Sequence, residues 1–142
     1  MTSSVLFPVR PDRDTEWAVT LLARLHQRAP IRVKLLSVQT PLNGHVRMFF
    51  SGADIAEFHH EDAERELDPV RRALDAAGVP YEQHVEVGFS AETIAHFAQE
   101  HRCSQIVLGP MRERGLSGLV LGSLTQQIEY LMETAGRPCE VL

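Results

Sequence analysis

The regular alternation of strand-like and helical segments is the feature of this chain that most constrains its fold. Five short strand-like runs alternate with four helical patterns along 142 residues, a length typical of one domain. This alternation predicts an α/β fold, a parallel sheet with right-handed helical crossovers, in one domain over residues 1–142. The predicted strands are Ser4–Val9, Ile31–Val38, Tyr81–Val87, Gln105–Gly109 and Cys139–Leu142.

The helical patterns have recognisable ends. Asp12 or Asp14 can cap the first helix, and Ser90 is a favourable N-cap for the third. Pro69 interrupts the second pattern, so we expect either a kink there or a helix that starts at Pro69 with Asp68 as its cap. The predicted helices are Asp14–Ala29, a segment within Asp54–Ala77 that Gly78 ends, one starting at Ser90, and one from Gly122-Ser123 to about Ala135.

The segment Thr40–Ala53 shows no clean periodicity, and we expect a long, mobile loop there. It contains the apolar residues Met48, Phe49 and Phe50. Two interpretations fit them: side chains tucked against the domain, which is favoured, or an exposed site for a partner.

Charge and apolar runs exclude several classes of protein. The formal net charge of −5 argues against general binding of nucleic acid or anionic membranes. No apolar run approaches the roughly 18 residues of a membrane span, and no signal peptide is recognisable at the N-terminus. We therefore expect a cytoplasmic protein with neither nucleic acid nor membrane as partner.

Two cysteines, Cys103 and Cys139, each precede an apolar strand-like run. The favoured interpretation is two reduced, buried thiols. A redox pair is the alternative, because neighbouring parallel strands can bring the two residues close, although no CxxC spacing supports it.

Ligands of open parallel sheets bind beyond the carboxyl ends of the strands, where the strand order reverses. The loop after the first predicted strand, "VRPDRD", and the loop after the fourth, "GPMRERGLSG", are the natural pair to flank such a crevice. The loop from Val38 onward can add a further wall.

These loops resemble those of the universal stress protein family. Phe7-Pro8-Val9-Arg10 is similar to the family's opening Val-Pro-Val-Asp, and residues 76–109 are similar to its central block. The family's nucleotide signature is Gly-x-x-Gly, nine residues, then Gly-Ser or Gly-Thr. Gly109 matches its first glycine and Gly122-Ser123 its end, whereas Arg112 replaces the second glycine.

The resemblance implies a flavodoxin-like doubly wound sheet of five parallel strands in the order 3-2-1-4-5, with four helices. It also implies a homodimer formed through the last strand, here Cys139, Glu140, Val141 and Leu142. In ATP-binding members the glycine loop and the Gly-Ser turn hold the phosphates. The first-strand Asp helps to bind adenosine or the metal, and the loop after the second strand contacts the adenine. A second branch lacks the signature and does not bind ATP.

Two arginines replace residues of the family pattern. Arg10 stands at the position of the Asp, so a metal is not expected. Arg112 stands at a glycine position, where a left-handed backbone would cost about 1–2 kcal/mol. With Arg13 and Arg114, up to four guanidinium groups could surround one crevice and bind phosphate or carboxylate. An equally weighted alternative is a solvated set partly neutralised by Asp12, Asp14 and Glu113.

The candidate site therefore combines strand ends with the glycine signature, and takes a nucleotide or another anion. Ser123 can cap a helix and offer a hydroxyl to a phosphate. A cap and a turn without any ligand is the alternative. The predicted site residues are Pro8, Val9, Arg10, Val38, Gly109, Arg112, Arg114, Gly122, Ser123 and Leu124.

The other polar clusters are weaker candidates for a binding or catalytic site. His59-His60-Glu61-Asp62 contains metal-ligand residue types, but neighbours on a helix point in different directions, and we expect a solvated helix start. No nucleophile, base and orienting acid can be assembled from the sequence.

The leading interpretation is a non-catalytic stress-response module with a degenerate ATP-type site for ATP, another adenine nucleotide or another anion. One alternative is a dimeric interaction protein that does not bind ATP; a slow ATPase using Ser123 and the arginines is less favoured. Glu140 in the dimerising strand either faces water or pairs with the partner's Arg137.

Overall fold

One parallel sheet organises the chain. In the computed structural model, residues 2–112, 124–136 and 139–142 are described. The strands are β1 (Ser3–Pro8), β2 (Ile31–Gln39), β3 (Tyr81–Val87), β4 (Gln105–Ile106) and β5 (Glu140–Val141). All pairings are parallel and the order is β3-β2-β1-β4-β5, which confirms the predicted topology. The last two strands are shorter than predicted.

The described residues form five helices, whereas four were predicted. They are α1 (Thr15–Arg28), α2 (Gly44–Arg47), α3 (Gly52–Ala77), α4 (Ser90–Glu100) and α5 (Leu124–Thr134). The additional helix, α2, lies in the segment Thr40–Ala53, which was predicted to be a long, mobile loop. Asn43 starts it, because its side chain accepts a hydrogen bond from the Val46 amide at 2.9 Å.

The sheet separates two apolar layers. Alternate residues of β1 point to opposite faces, so Val5 and Phe7 join one layer and Leu6 the other. Helices α1 and α3 cover the first layer with Leu22, Leu67 and Leu74. Helices α4 and α5 cover the second, with the residues Ala91, Ile94, Phe97, Ala98, Ile128 and Met132.

Helix α3 runs through Pro69 without ending, so the predicted start at Pro69 is wrong. Its start lies earlier, where Ser51 and Asp54 form a reciprocal capping box. It ends at Gly78, as predicted. Gly78 adopts the left-handed conformation at φ 69°, which glycine adopts without strain.

One predicted cap is confirmed and one is wrong. The Asp14 carboxylate accepts from the Trp17 amide at 3.0 Å and caps α1. At α4, Phe89 occupies the N-cap position and makes no side-chain cap, while Ser90 is the first helical residue. The Ser90 hydroxyl accepts a hydrogen bond from Arg10 instead.

Several predictions fall outside the described residues: the predicted cap at Gly122-Ser123, and Arg114 and Arg137. Within the part of the chain that is described, no helix is long and apolar enough to cross a membrane.

Candidate functional site

A cleft of about 650 Å³ opens beyond the carboxyl ends of β1 and β2. Its walls come from the end of β1, the segment after β2, one face of α3 and the first turn of α4. The described residues lining it are Val9, Arg10, Pro11, Val38, Gln39, Thr40, Pro41, Leu42, Asn43, Val46, Phe58, Asp62, Glu66 and Ser90. The cleft therefore lies at the sheet edge where ligands of doubly wound folds bind.

Arg10 provides the cationic group of this cleft. Its Nε donates to Asp12 Oδ1 at 3.2 Å, and its Nη1 donates to Ser90 Oγ at 2.9 Å. The guanidinium thus bridges the end of β1 and the start of α4 and is held at the cleft wall. The position that is acidic in the family pattern carries a fixed positive charge here.

The α3 wall is acidic opposite Arg10, where it presents Asp62 and Glu66. Burial raises the pKa of Glu66, because desolvation disfavours the charged form; a hydrogen bond from Ser37 and the charge of Arg10 act in the opposite direction. The Ser37 hydroxyl donates to Glu66 Oε1 at 2.9 Å. Carboxylates in this setting accept hydrogen bonds from ligand hydroxyl or amino groups.

A buried polar chain anchors this wall to the sheet. Gln39 Nε2 donates to Ser37 Oγ at 3.1 Å, and Gln39 Oε1 lies 3.2 Å from Nδ1 of His59. Because a carbonyl oxygen can only accept, His59 Nδ1 carries the proton. The predicted solvated helix start is therefore wrong for His59, which is buried and fixes α3 against β2, while His60 is exposed.

The predicted ring of four arginines does not form around the cleft. Arg13 is only 8 % exposed and its Nη1 donates to the Gly109 carbonyl at 2.8 Å. Arg112 is exposed, and its backbone amide donates to the Asp12 carbonyl at 2.9 Å. The two loops pair through their backbones and draw Arg13 inward, so Arg10 is the described arginine that lines the cleft.

Gly109 meets the conformational demand expected of the first signature glycine. Its φ is +79°, and a Cβ there would lie 3.1 Å from the Asp14 carbonyl oxygen and 3.4 Å from Trp17. The close approach of the α1 start explains why glycine is required at this position.

The remaining predicted site residues divide into three groups. Val9 and Val38 line the cleft, as does Arg10. Pro8 is buried at the end of β1, and Leu124 packs against the α4–α5 layer. The last group, Arg114, Gly122 and Ser123, lies outside the described residues.

Sequence reasoning missed the α3 wall and Ser90. Phe58, Asp62 and Glu66 follow one another at i, i+4 and i+8, so they share one helix face. That spacing was the available signal. It lies on a helix, whereas the ligand sites of parallel sheets are expected in the loops that follow the strands.

A metal does not fit the position where the family pattern has its acidic residue. Arg10 places a cation there, and its Asp12 partner is already paired with it. Among the described residues, no cluster of three or more His, Cys, Asp or Glu side chains could hold a metal ion.

The two cysteines lie close together as free thiols. The Sγ of Cys139 donates to the Cys103 carbonyl at 3.4 Å. Burial, as the largest cause, raises the pKa of Cys103 to about 12 and that of Cys139 to about 11. Both thiols are therefore protonated and weakly nucleophilic at neutral pH.

The parallel sheet in the order β3-β2-β1-β4-β5, with helices on both faces, places the chain in the doubly wound α/β class of proteins. The chain belongs to the universal stress protein family, whose profile matches residues 1–129. A search of curated proteins finds no significant sequence match.

Solved universal stress proteins share the fold. The UspA protein of Lactobacillus plantarum is 20% identical, with a TM-score of 0.72, covering 99% of this chain and 95% of that one. A universal stress protein in complex with cAMP is 16% identical, with a TM-score of 0.69 and coverage of 99% and 94%. One from Archaeoglobus fulgidus in complex with dAMP is 19% identical, with a TM-score of 0.62 and coverage of 98% and 96%.

Proposed function

We propose that this universal stress protein binds an adenine nucleotide in the cleft beyond β1 and β2 and acts as a non-catalytic binding module in the stress response. The observation that carries the proposal is the order of groups along the cleft. Arg10 acts electrostatically on Glu66, Asp62 and Phe58 lie one and two turns further back along α3, and Leu42 and Val46 line an apolar space together with Phe58. A volume of about 650 Å³ lies within the roughly 300–1,000 Å³ of small-molecule sites.

Each part of a nucleotide has a suitable partner in this order. The Arg10 guanidinium attracts a phosphate by charge-assisted hydrogen bonds. The carboxylates of Asp62 and Glu66 can accept from the ribose hydroxyls, and the exposed ring of Phe58 offers a face for the base. The complexes of related proteins with cAMP and dAMP support an adenine nucleotide as the ligand.

Binding is proposed to be independent of a divalent metal, because Arg10 supplies the positive charge. Calorimetric titration with AMP, ADP and ATP, each with and without Mg²⁺, tests this. Thermal unfolding provides a second measurement. Ligand at about a hundredfold over its Kd stabilises the fold by about 2.7 kcal/mol, which raises the Tm by roughly 5–10 °C. Mg²⁺ is expected to leave the affinity unchanged or to lower it.

The variant Arg10→Ala should weaken nucleotide binding about tenfold or more, since it removes a charged hydrogen-bond donor. Arg72→Ala is the matched control, because Arg72 is an exposed arginine of α3 that pairs with Asp68 away from the cleft. Absence of binding at millimolar AMP, ADP and ATP would refute the proposed function.

The non-catalytic part of the proposal rests on the residue types in the cleft. Among the described residues that line the cleft, the candidate bases are Asp62 and Glu66, which the proposal assigns to the ribose hydroxyls, and the candidate nucleophile Ser90 is already bonded to Arg10. ATP incubated with the protein should remain intact over hours. Turnover that Ser123→Ala abolishes would instead favour the slow ATPase.

We also propose a homodimer formed through β5 and its flanking residues Cys139 and Leu142. β5 is an edge strand, and edge strands pair readily with a second copy. Glu140 is exposed and accepts a hydrogen bond from Gln105 at 3.3 Å, so its charge has a partner within the chain. Sedimentation at micromolar concentration should give a dimer, and a 15.9 kDa species alone would contradict this.

A further inference from the structure

A second cavity adjoins the cleft at its apolar end. It has a volume of about 560 Å³ and is lined by Leu42, Val46, Phe50, Asp54, Ile55 and Phe58. Three of these residues, Leu42, Val46 and Phe58, line the cleft as well. The two spaces therefore share a wall of apolar side chains.

The second cavity is apolar in character. Its acidic residue, Asp54, is occupied in the capping box of α3, where it accepts from the Ser51 amide. The other lining side chains are aliphatic or aromatic. Phe50 is 54 % exposed, so part of this apolar surface remains open to water and is available for burial by a ligand.

Helix α3 joins the two spaces through one continuous face. Ile55, Phe58, Asp62 and Glu66 recur at helical spacing on that face and change from apolar to acidic towards Arg10. Glu66 lies eleven positions after Ile55, and a rise of 1.5 Å per position gives the face a length of about 16.5 Å. A ligand that occupied all of it would be anionic at one end, polar in the middle and apolar at the other end.

We propose that the preferred ligand is an adenine nucleotide whose base carries an apolar substituent, with the phosphate at Arg10 and the substituent in the cavity around Phe50 and Ile55. This rests on the proposed function, since the nucleotide occupies the same cleft. The orientation follows from charge. The phosphate is drawn to Arg10 and the uncharged end lies towards Phe58, which borders the second cavity.

Calorimetry with AMP and N6-benzyladenosine 5′-monophosphate tests the inference. Burial of an aromatic ring in the second cavity should tighten binding about tenfold relative to AMP. Octyl phosphate serves as a third probe, because it has an anionic head and an apolar chain but no nucleoside.

Phe50→Ser should remove the advantage of the benzyl group and leave AMP affinity unchanged. Phe49→Ser is the matched control, because Phe49 is the adjacent, more exposed phenylalanine (73 %) and does not line the cavity. A substitution effect on stability alone would appear as equal weakening of both ligands, and this result would contradict the inference.

The three probes separate the inference from the proposed function. If AMP binds and the benzyl derivative binds equally or more weakly, the inference is overturned and the nucleotide site stands. If octyl phosphate binds while neither nucleotide does, the nucleotide site and the inference both fail, and an apolar anion is the ligand. Tighter binding of the benzyl derivative, lost in Phe50→Ser, supports both.

Discussion

Two segments border the cleft, and they are held in opposite ways. The β1 loop, residues 10–14, is bonded to the chain after β4: Asp14 N donates to the Pro110 carbonyl, and Arg112 N to the Asp12 carbonyl, each at 2.9 Å. The β2 loop, residues 40–51, makes its caps and turns within itself, as in the bond from the Val46 amide to Asn43.

The side chains of the β1 loop are also less exposed to solvent than those of the β2 loop. Arg13 of the β1 loop is buried, whereas Met48 and Phe49 of the β2 loop are 81 % and 73 % exposed. The interpretation of Met48-Phe49-Phe50 as tucked against the domain is therefore wrong for Met48 and Phe49, whereas Phe50, 54 % exposed, lines the second cavity. Few long-range bonds hold the β2 loop, which makes it the more tolerant of change.

The two loops perform two different tasks at one site. The β1 loop fixes where the positive charge lies, because its backbone is tied to a second loop on the sheet. The β2 loop supplies the apolar wall and hence the shape that a ligand meets. Substitutions in the first should cost stability, and substitutions in the second should mainly change which ligand binds.

The largest expected difference in stability between the two loops comes from substituting one glycine at each. Gly109→Ala should destabilise the fold by about 2–4 kcal/mol, because it combines a left-handed φ with a Cβ pressed against the Asp14 carbonyl. Gly44→Ala in the β2 loop should be neutral or slightly stabilising, since no atom lies within 4 Å of its Cβ. Urea unfolding of both variants measures this; equal losses would remove the contrast between the loops.

The next largest change in stability is expected for a substitution of Arg13. Arg13→Met leaves the Gly109 carbonyl without its donor, which costs about 1–2 kcal/mol. The cost is partly offset because Arg13 Nε has no hydrogen-bond partner among the described residues. Arg72→Met, on the surface of α3, should change stability by less than about 0.5 kcal/mol. A neutral Arg13→Met would show that the β1 loop is held by its backbone alone.

The elements and the parallel sheet could be predicted because they depend on local patterns. Apolar periodicity and strand–helix alternation define the elements, and the crossover rule then leaves few arrangements. Caps formed within a few residues, such as Asp14 and Gly78, were predictable for the same reason. The sheet order itself came from the family resemblance.

The site was less predictable, because its side chains are paired over long sequence separations. Serine is a residue type typical of N-caps, yet the Ser90 hydroxyl accepts a hydrogen bond from Arg10, eighty residues away. Arginine is a residue type typical of protein surfaces, yet Arg13 is buried and donates a hydrogen bond to the Gly109 carbonyl, ninety-six residues away. Such pairings leave no periodic signal in one sequence.

The two loops each contain a side-chain helix cap, and these give a smaller contrast. Asp14→Ala should cost about 1 kcal/mol, because Asp14 caps a fourteen-residue helix that packs on the core. Asn43→Ala should cost less than about 0.5 kcal/mol, because α2 has four residues and buries none of them. Similar losses from thermal unfolding would mean that α2 contributes more to the fold than its exposure suggests.

The smallest expected change in stability tests whether the positive charge of Arg10 influences Glu66 on the α3 wall. The pKa of Glu66 is raised in the folded protein, so its contribution to stability is present below its unfolded pKa and is lost as the pH rises through its folded pKa. Glu66→Gln should therefore be more stable than the parent at pH 7, by about 0.5 kcal/mol, and the gain should shrink towards pH 4. In an Arg10→Ala background the gain should increase, because Arg10 lowers the pKa of Glu66.

Glu64, on the same helix, provides a control of opposite sign. Hydrogen bonds from Arg71 and Gln83 lower its pKa to about 2, so it stabilises the fold above its unfolded pKa and loses that effect as the pH falls. Glu64→Gln should be less stable than the parent at pH 7, with the difference disappearing towards pH 2. If both variants followed the same pH trend in chemical unfolding, the wall facing Arg10 would have no special electrostatic environment.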